Sequence, residues 1–403
     1  MPPSRFWWIV AAGGVIVALS MGIRQSFGLF LQPVTDDLAL TREVFGLAIA
    51  LQNLLWGLVQ PIAGIFADRY GPGRVLAVGG LVYVAGLGLT AVSSDTASLN
   101  LTLGVLIGIG LSGTTWAVVL GAVGRLVPDQ QRSLALGLVT AGGSFGQFAL
   151  IPATQVLLAA HGWVSTLLIF AAAAALMPVL AGALRVPRPA AGDAPRTEMP
   201  LARALGDAAG HRGYWLLNAG FFICGFHVMF IATHLPAYLV DNGISGGIAA
   251  YALATIGLSN IAGSYVCGLL GGRYSRRRLL SLLYLVRAVV IAGFLAVPIT
   301  PTTALVFSAL IGFLWLGTVP LTSGLVGQIF GVRYLTTLFG IVFLSHQLGS
   351  FMGAWLGGYV FDVSGSYDLV WIASVLLGLV AAALHWPIDE APVYAPGATR
   401  MPT

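Results

Sequence analysis

Arg24 stands in Met21-Gly-Ile-Arg-Gln-Ser-Phe-Gly28, a stretch that closes an apolar run beginning at Phe6. A guanidinium placed among hydrocarbon costs roughly 2.5–3.5 kcal/mol on insertion scales, and it persists where it faces an aqueous cavity or a partner. His227 and His234 lie in a second apolar run, seven residues apart and so on one helical face. His346 lies in a third, within Phe343-Leu-Ser-His-Gln-Leu-Gly349. Arginine and histidine donate charge-assisted hydrogen bonds to an anion, and histidine also exchanges a proton near neutral pH. All fourteen acids fall in connecting segments or the tail, none inside an apolar run. A cavity with basic groups and no acid favours an anion over a cation, and leaves histidine or the substrate itself to carry any proton. Each residue also has a plainer reading. Arg24 lies in the outer half of its run and can reach the interface, while each histidine can be satisfied by a nearby carbonyl.

Metal, cofactor and enzyme chemistry find little support. His227 and His234 lack the i, i+4 spacing of a helical metal pair, and Cys224 and Cys267 show neither disulfide nor metal spacing. No metal, cofactor or catalytic residue is expected, and no Gly-rich nucleotide loop is present.

The elements that must position these residues follow from composition. Of 403 residues 58% are hydrophobic and only 8% charged, against roughly 25% charged in ordinary soluble domains. Apolar runs long enough to cross about 30 Å of hydrocarbon recur along the chain. They predict twelve spans, near 7–31, 44–66, 75–93, 99–122, 133–157, 164–186, 214–240, 247–270, 279–298, 303–326, 337–360 and 367–386. The first run lacks a small-residue cleavage site, so a removed signal peptide is not expected. All nineteen basic residues are arginine, and sixteen of them fall on one side of this topology. The positive-inside rule puts that side, with both termini, in the cytoplasm. The net charge of +5 is then a matter of topology, and no nucleic-acid partner is needed. Residues 187–212, rich in proline and charge, read as a cytoplasmic linker with a short surface helix over 201–209. The expected organisation is a six-helix bundle over 1–186, the linker, a second six-helix bundle over 213–386, and a cytoplasmic tail over 387–403 without fixed structure.

The halves echo each other. Gly121, Gly124, Gly137 and Gly146 recur 203 residues later as Gly324, Gly327, Gly340 and Gly349, and Gly22, Arg24, Phe27 and Pro33 fall on Gly225, His227, Phe230 and Pro236. Span two ends in Gly64-Ile-Phe-Ala-Asp68-Arg69-Tyr-Gly71-Pro-Gly73-Arg74. A second copy, Gly268-Leu-Leu-Gly-Gly272-Arg273-Tyr-Ser-Arg276, has Gly272 in place of Asp68. With twelve spans, this loop closely resembles the signature loop of the major facilitator superfamily. The resemblance implies two pseudo-symmetric bundles of an all-α membrane protein, a central site near the midplane and alternating access. Asp68, Arg69, Arg74 and Arg273 would then act in conformational gating.

In that family spans one, four, seven and ten line the cavity, so Arg24 and His227 are expected to face each other across it. Trp116 with Thr115 in span four, and Trp315 in span ten, are candidates for closing it, although tryptophan at such places more often serves packing. Arg132-Ser-Leu-Ala-Leu-Gly137-Leu-Val-Thr-Ala-Gly142-Gly143-Ser-Phe-Gly146 resembles the corresponding motif of the monocarboxylate transporters, and Arg24 matches the place of their span-one basic residue. Those transporters place an acid or amide in span eight and an arginine four residues later. Here these positions hold Asn260 and Ser264. Asn260 stays a candidate ligand, but the clamping arginine is missing, which throws more of the work on Arg24. Arg287, near the start of span nine, is expected to snorkel.

The leading expectation is a secondary transporter of the inner membrane that acts as a monomer and moves a small organic anion. Arg24, His227 and His234 would bind the substrate, and His227, His234 or His346 would exchange protons. An exporter of neutral or amphipathic compounds is the alternative within the same fold. A membrane sensor or intramembrane enzyme has no place for its output.

Overall fold

The computed structural model describes residues 3–185, 201–331 and 334–393; the side chain of Asp68 and the linker residues 186–200 lie outside it. The described residues are helical, with no strand among them. Helix α1 (Pro3–Ser26) continues through a 3-10 turn, Phe27–Phe30, into Leu31–Asp37. Then come α2 (Arg42–Tyr70), α3 (Pro72–Thr90) and α4 (Thr96–Leu126). The next apolar helix runs for 51 residues, Leu134–Leu184, more than twice what a bilayer needs at about 1.5 Å per residue. Gly162 divides it: its φ of 73° is open to glycine and strained for other residues. The parts are α5 (residues 129–161) and α6 (residues 163–184).

The second half repeats the plan with α7 (Arg212–Asp241), α8 (Gly246–Gly271), α9 (Arg276–Leu295), α10 (Pro301–Phe313 and Thr318–Phe330), α11 (Leu335–Ser364) and α12 (Asp368–His385). Counting α5 and α6 apart gives the twelve expected spans. The linker ends in a short helix, Leu201–Gly210, seated through Ala204 and Ala208.

Close contacts give the direction of each span. Gly142 lies against Gly14, and Gly146 against Ala18, so α5 runs parallel to α1. Trp163 donates to Asp37 at the far end of α1 (2.8 Å), while Gly80 and Gly73 of α3 meet Pro178 and Arg185, so α6 returns. In the second half Gly349 lies on Phe222 and Gly353 on Phe226, the same parallel pairing between α7 and α11. A Cβ at Gly146 or Gly349 would overlap a carbonyl of the facing helix. The repeated glycines are therefore crossing points, where van der Waals approach of backbones substitutes for a hydrophobic driving force that lipid cannot supply.

The face carrying both termini is here called the terminal face, and the other the distal face. At the distal face the bundles are sealed. Arg42, opening α2, pairs with Asp241 at the end of α7 (2.5 and 2.9 Å) and donates to Tyr367 (3.0 Å). Asp362 of α11 accepts the backbone N–H of Arg42 and of Glu43 (3.1 and 2.6 Å), and Trp355 donates to Glu43 (3.0 Å). Nearer the midplane Gly28 touches Ala232 and Gly57 touches Gln347. From the Gln347–Asn53 bond outward, hydrogen bonds tie the bundles together up to the distal face. On the terminal side Gly137 and Gly340, a repeat pair, have open space where a Cβ would stand.

The tail differs from its expectation over residues 387–393. Ile388 is buried, Glu390 accepts the N–H of Arg277 (2.8 Å), and Val393 donates to the carbonyl of Ile329 (2.7 Å). Its backbone and acid find partners at the exposed ends of α9 and α10. Residues 394–403 lie outside the described chain.

Candidate functional site

Arg24 sits where α1, α2 and α7 meet, and it is 8% exposed. Its guanidinium donates to Asn53 Oδ1 (2.5 Å), to Gln25 Oε1 (3.1 Å) and toward Met229 Sδ (3.1 Å), and lies 4.8 Å from the centroid of the Trp56 ring. Its Nε has no hydrogen-bond partner among the described residues. Every group around it is neutral, so the charge is solvated by amides and an aromatic face but not compensated.

The expected partner is elsewhere. His227 Nε2 bonds to the carbonyl of Ser374 on α12 (2.8 Å), which turns the ring into the second bundle. Met229, two residues on and on the opposite side of the helix, meets Arg24 instead. His234 is likewise held inside, by the carbonyl of Ala354 (2.7 Å) and the hydroxyl of Tyr367 (3.3 Å). In this structure both are bundle histidines, and neither is brought to Arg24.

His346 is the histidine that the structure connects to Arg24. Asn53, whose side chain accepts from Arg24, also accepts on its backbone carbonyl from Gln347 Nε2 (3.1 Å), and Gln347 Oε1 lies 3.1 Å from His346 Nδ1. A polar chain therefore crosses from one bundle to the other. His346 Nε2 is buried and has no partner among the described residues. An aromatic path runs parallel: Trp56 meets Phe343 edge-on at 5.4 Å, and Phe343 stacks on His346 at 6.0 Å. Asn53, Trp56 and Gln347 were missed from the sequence. The available signal was an amide inside an apolar span, which needs a partner in hydrocarbon.

The remaining candidates fall in supporting positions. Thr115 breaks α4 with extended backbone angles, and its hydroxyl accepts from Trp56 Nε1 (3.1 Å) and donates to Gln60 (3.1 Å); it fixes the indole that covers Arg24. Trp116 is half-buried against Gly143. In α10, a break between Phe313 and Thr318 frees backbone groups. Asn260 Oδ1 accepts the N–H of Leu316 (3.0 Å), while Arg287 donates to the carbonyls of Leu314 and Trp315. Asn260 is thereby spent on a helix break, and Trp315 is fully buried inside the second bundle. Arg287 does not snorkel: it is 1% exposed and caps carbonyls that hydrocarbon would leave unsatisfied.

Of the gating candidates, Arg69 lies 5.4 Å over the Tyr70 ring, and Arg74 and Arg273 are exposed. The side chain of Asp68 is outside the described residues. In the second loop, where Gly272 replaces that acid, Glu390 from the tail accepts from Arg277, and Arg276 donates to Gln328.

The family model of the Major Facilitator Superfamily matches residues 11–323 and 243–401. Human Monocarboxylate transporter 11 is 28% identical over 412 residues, covering 97% of this chain and 84% of that protein. The Oxalate:formate antiporter of Oxalobacter formigenes is 22% identical over 380 residues, covering 94% and 90%. A solved bacterial homologue of the human lysosomal transporter Spinster, inward-facing and unoccupied, has the same fold, with a TM-score of 0.78 at 17% identity over 96% of this chain and 97% of that one. The chain belongs to the major facilitator superfamily, as a multi-pass membrane transporter.

Proposed function

We propose that this transporter moves a small organic anion, a carboxylate, by alternating access, with Arg24 holding the negative group and His346 exchanging a proton. The observation that carries the reading is the uncompensated charge of Arg24, enclosed by neutral side chains where the two bundles meet. A carboxylate arriving there supplies the missing counter-charge, and the open Nε gives it a charge-assisted hydrogen bond. The named activities of the Oxalobacter and human relatives support an anionic cargo. The path from Arg24 through Asn53 and Gln347 to His346 supports the choice of His346 as the group that carries a proton with the anion. In this reading the protein works as a monomer in the inner membrane with the terminal face toward the cytoplasm, an orientation that the arginine distribution supports.

The test is uptake of labelled organic acids into proteoliposomes by the native chain and by Arg24→Gln. Loss of acid uptake in the variant, with its thermal stability retained, is the expected result. Unchanged uptake removes Arg24 from the mechanism. Flux of neutral amphipathic compounds that ignores the substitution would make the protein an exporter of that class.

A further inference from the structure

We infer that the carboxylate is the single polar group of an otherwise apolar cargo: an aryl or branched-alkyl monocarboxylate with no ammonium group and no second carboxylate. The inference rests on the reading of Arg24 given above and goes further in naming the rest of the molecule.

Charge sets the first limit. Arg24 is the enclosed guanidinium whose partners lie on both bundles; the other, Arg287, has NH1 and NH2 committed to Leu314, Trp315 and Cys224 inside the second bundle, and its Nε alone is without a partner among the described residues. One fixed cation matches one carboxylate. The sequence has no acid between Glu43 and Asp68, between Asp207 and Asp241, or between Asp241 and Asp362. The cavity-side lengths of α2, α7, α8, α10 and α11 therefore offer an ammonium group nothing to pair with, and Arg24 repels it. An α-amino acid would carry an unpaired buried charge, which is strongly disfavoured.

Hydrogen-bonding capacity sets the second. Apart from His346 Nε2, which has no partner among the described residues, the polar side chains of this network are spent on each other: Gln347 on Asn53 and His346, Asn53 on Arg24 and the carbonyl of Ile49, and the Trp56 indole on Gln60 and Thr115. Hydroxyl groups of a polar cargo would break these bonds and gain little in return. What the wall offers is ring surface. Trp56 and Phe343 meet at 5.4 Å, and beyond His346 the ring of Phe221 lies at 4.8 Å from the imidazole, with Phe339 a further 6.0 Å on. Phe339 and Phe343 are only half-buried, so their faces are accessible. Such surfaces favour apolar groups, and aromatic ones in offset or edge contact.

The experiment measures ligand-dependent thermal stabilisation of the purified full chain by phenylacetate, isovalerate, succinate, oxalate, phenylalanine and 2-phenylethanol. Phenylacetate and isovalerate are expected to stabilise the native chain and not Arg24→Gln. The other four compounds should require at least about tenfold higher concentration for the same shift, the scale on which an apolar pocket discriminates. Phe343→Ala should weaken phenylacetate by about tenfold or more, with Phe343→Leu as the variant that keeps packing volume if the alanine form is unstable. Succinate, oxalate or phenylalanine acting as well as phenylacetate, in an Arg24-dependent way, overturns the inference and leaves the transport of organic anions standing. Phenylacetate affinity indifferent to both Phe343 variants also overturns it. If no acid acts through Arg24, both readings fall.

Discussion

Arg24 and Arg287 are both enclosed guanidiniums, and their partners set them apart. Arg287 donates to the backbone carbonyls of a broken helix, groups that stay put and that hydrocarbon cannot satisfy. Arg24 donates to side chains on α1, α2 and α7, which belong to both bundles. Arg287→Gln should therefore lower stability by about 1.5–3 kcal/mol, the scale of a hydrogen bond to a charged group, seen as an earlier thermal transition. Arg24→Gln should leave that transition nearly in place and remove the response to carboxylates. The histidines divide in the same way. His346→Gln should lower carboxylate uptake while leaving the thermal transition nearly in place. His227→Asn should cost about 1 kcal/mol of stability and leave uptake by the folded fraction alone. Arg24 was legible in the sequence because a charge in an apolar run announces itself. His346 was legible there as a proton carrier, but its link to Arg24 was not, because the 203-residue offset sets it opposite Gly143 and points to His227. Symmetry of sequence carries over to the helix axis. It does not carry over to which side chain faces inward once Met229 takes the place on that face.

At the scale of elements, the repeat was the most reliable guide. Gly146 and Gly349 recur because each lets one backbone lie against another, α5 on α1 and α11 on α7. Gly340 shares the periodicity but stands in open space. Gly349→Leu should prevent the α7–α11 crossing and abolish folded protein, whereas Gly340→Ala should be accumulated and active; yield and monodispersity on size-exclusion chromatography check both. The breaks of α4 and α10 were hidden. Thr115 closes a short polar stretch, Ser112-Gly-Thr-Thr115, that an unbroken span also tolerates, and the segment from Leu314 to Gly317 carries no proline or polar run. They hold because tertiary partners take the freed groups, Asn260 and Arg287 in α10, and partners distant in sequence are not visible in local pattern. The same holds for the tail, whose composition suggested disorder while Glu390 and Val393 had helix ends waiting for them.

At the scale of the whole molecule, the distal seal decides which face is open. Arg42, Asp241, Asp362 and Glu43 join the bundles through seven bonds between 2.5 and 3.1 Å. Asp362→Asn or Asp241→Asn should weaken closure by about 1–2 kcal/mol, raising the distal-open population five- to thirty-fold while it remains minor. A cysteine introduced at Ala237, buried near the distal end of α7 beside Gln32 and Pro33, in a background where Cys224 and Cys267 are serine, would show this as faster labelling by an impermeant maleimide. The seal also parts unevenly. When the bundles separate, Asp241 and Asp362 leave with α7 and α11, while Arg42, Glu43 and two bare amide N–H groups stay on α2. Asp36, Asp37 and Glu43 outnumber Arg42 on its own rim, so both rims are net acidic. Reclosure then depends on Arg42 meeting Asp241 at contact range, and added salt, by screening the repulsion between the rims, should not slow it.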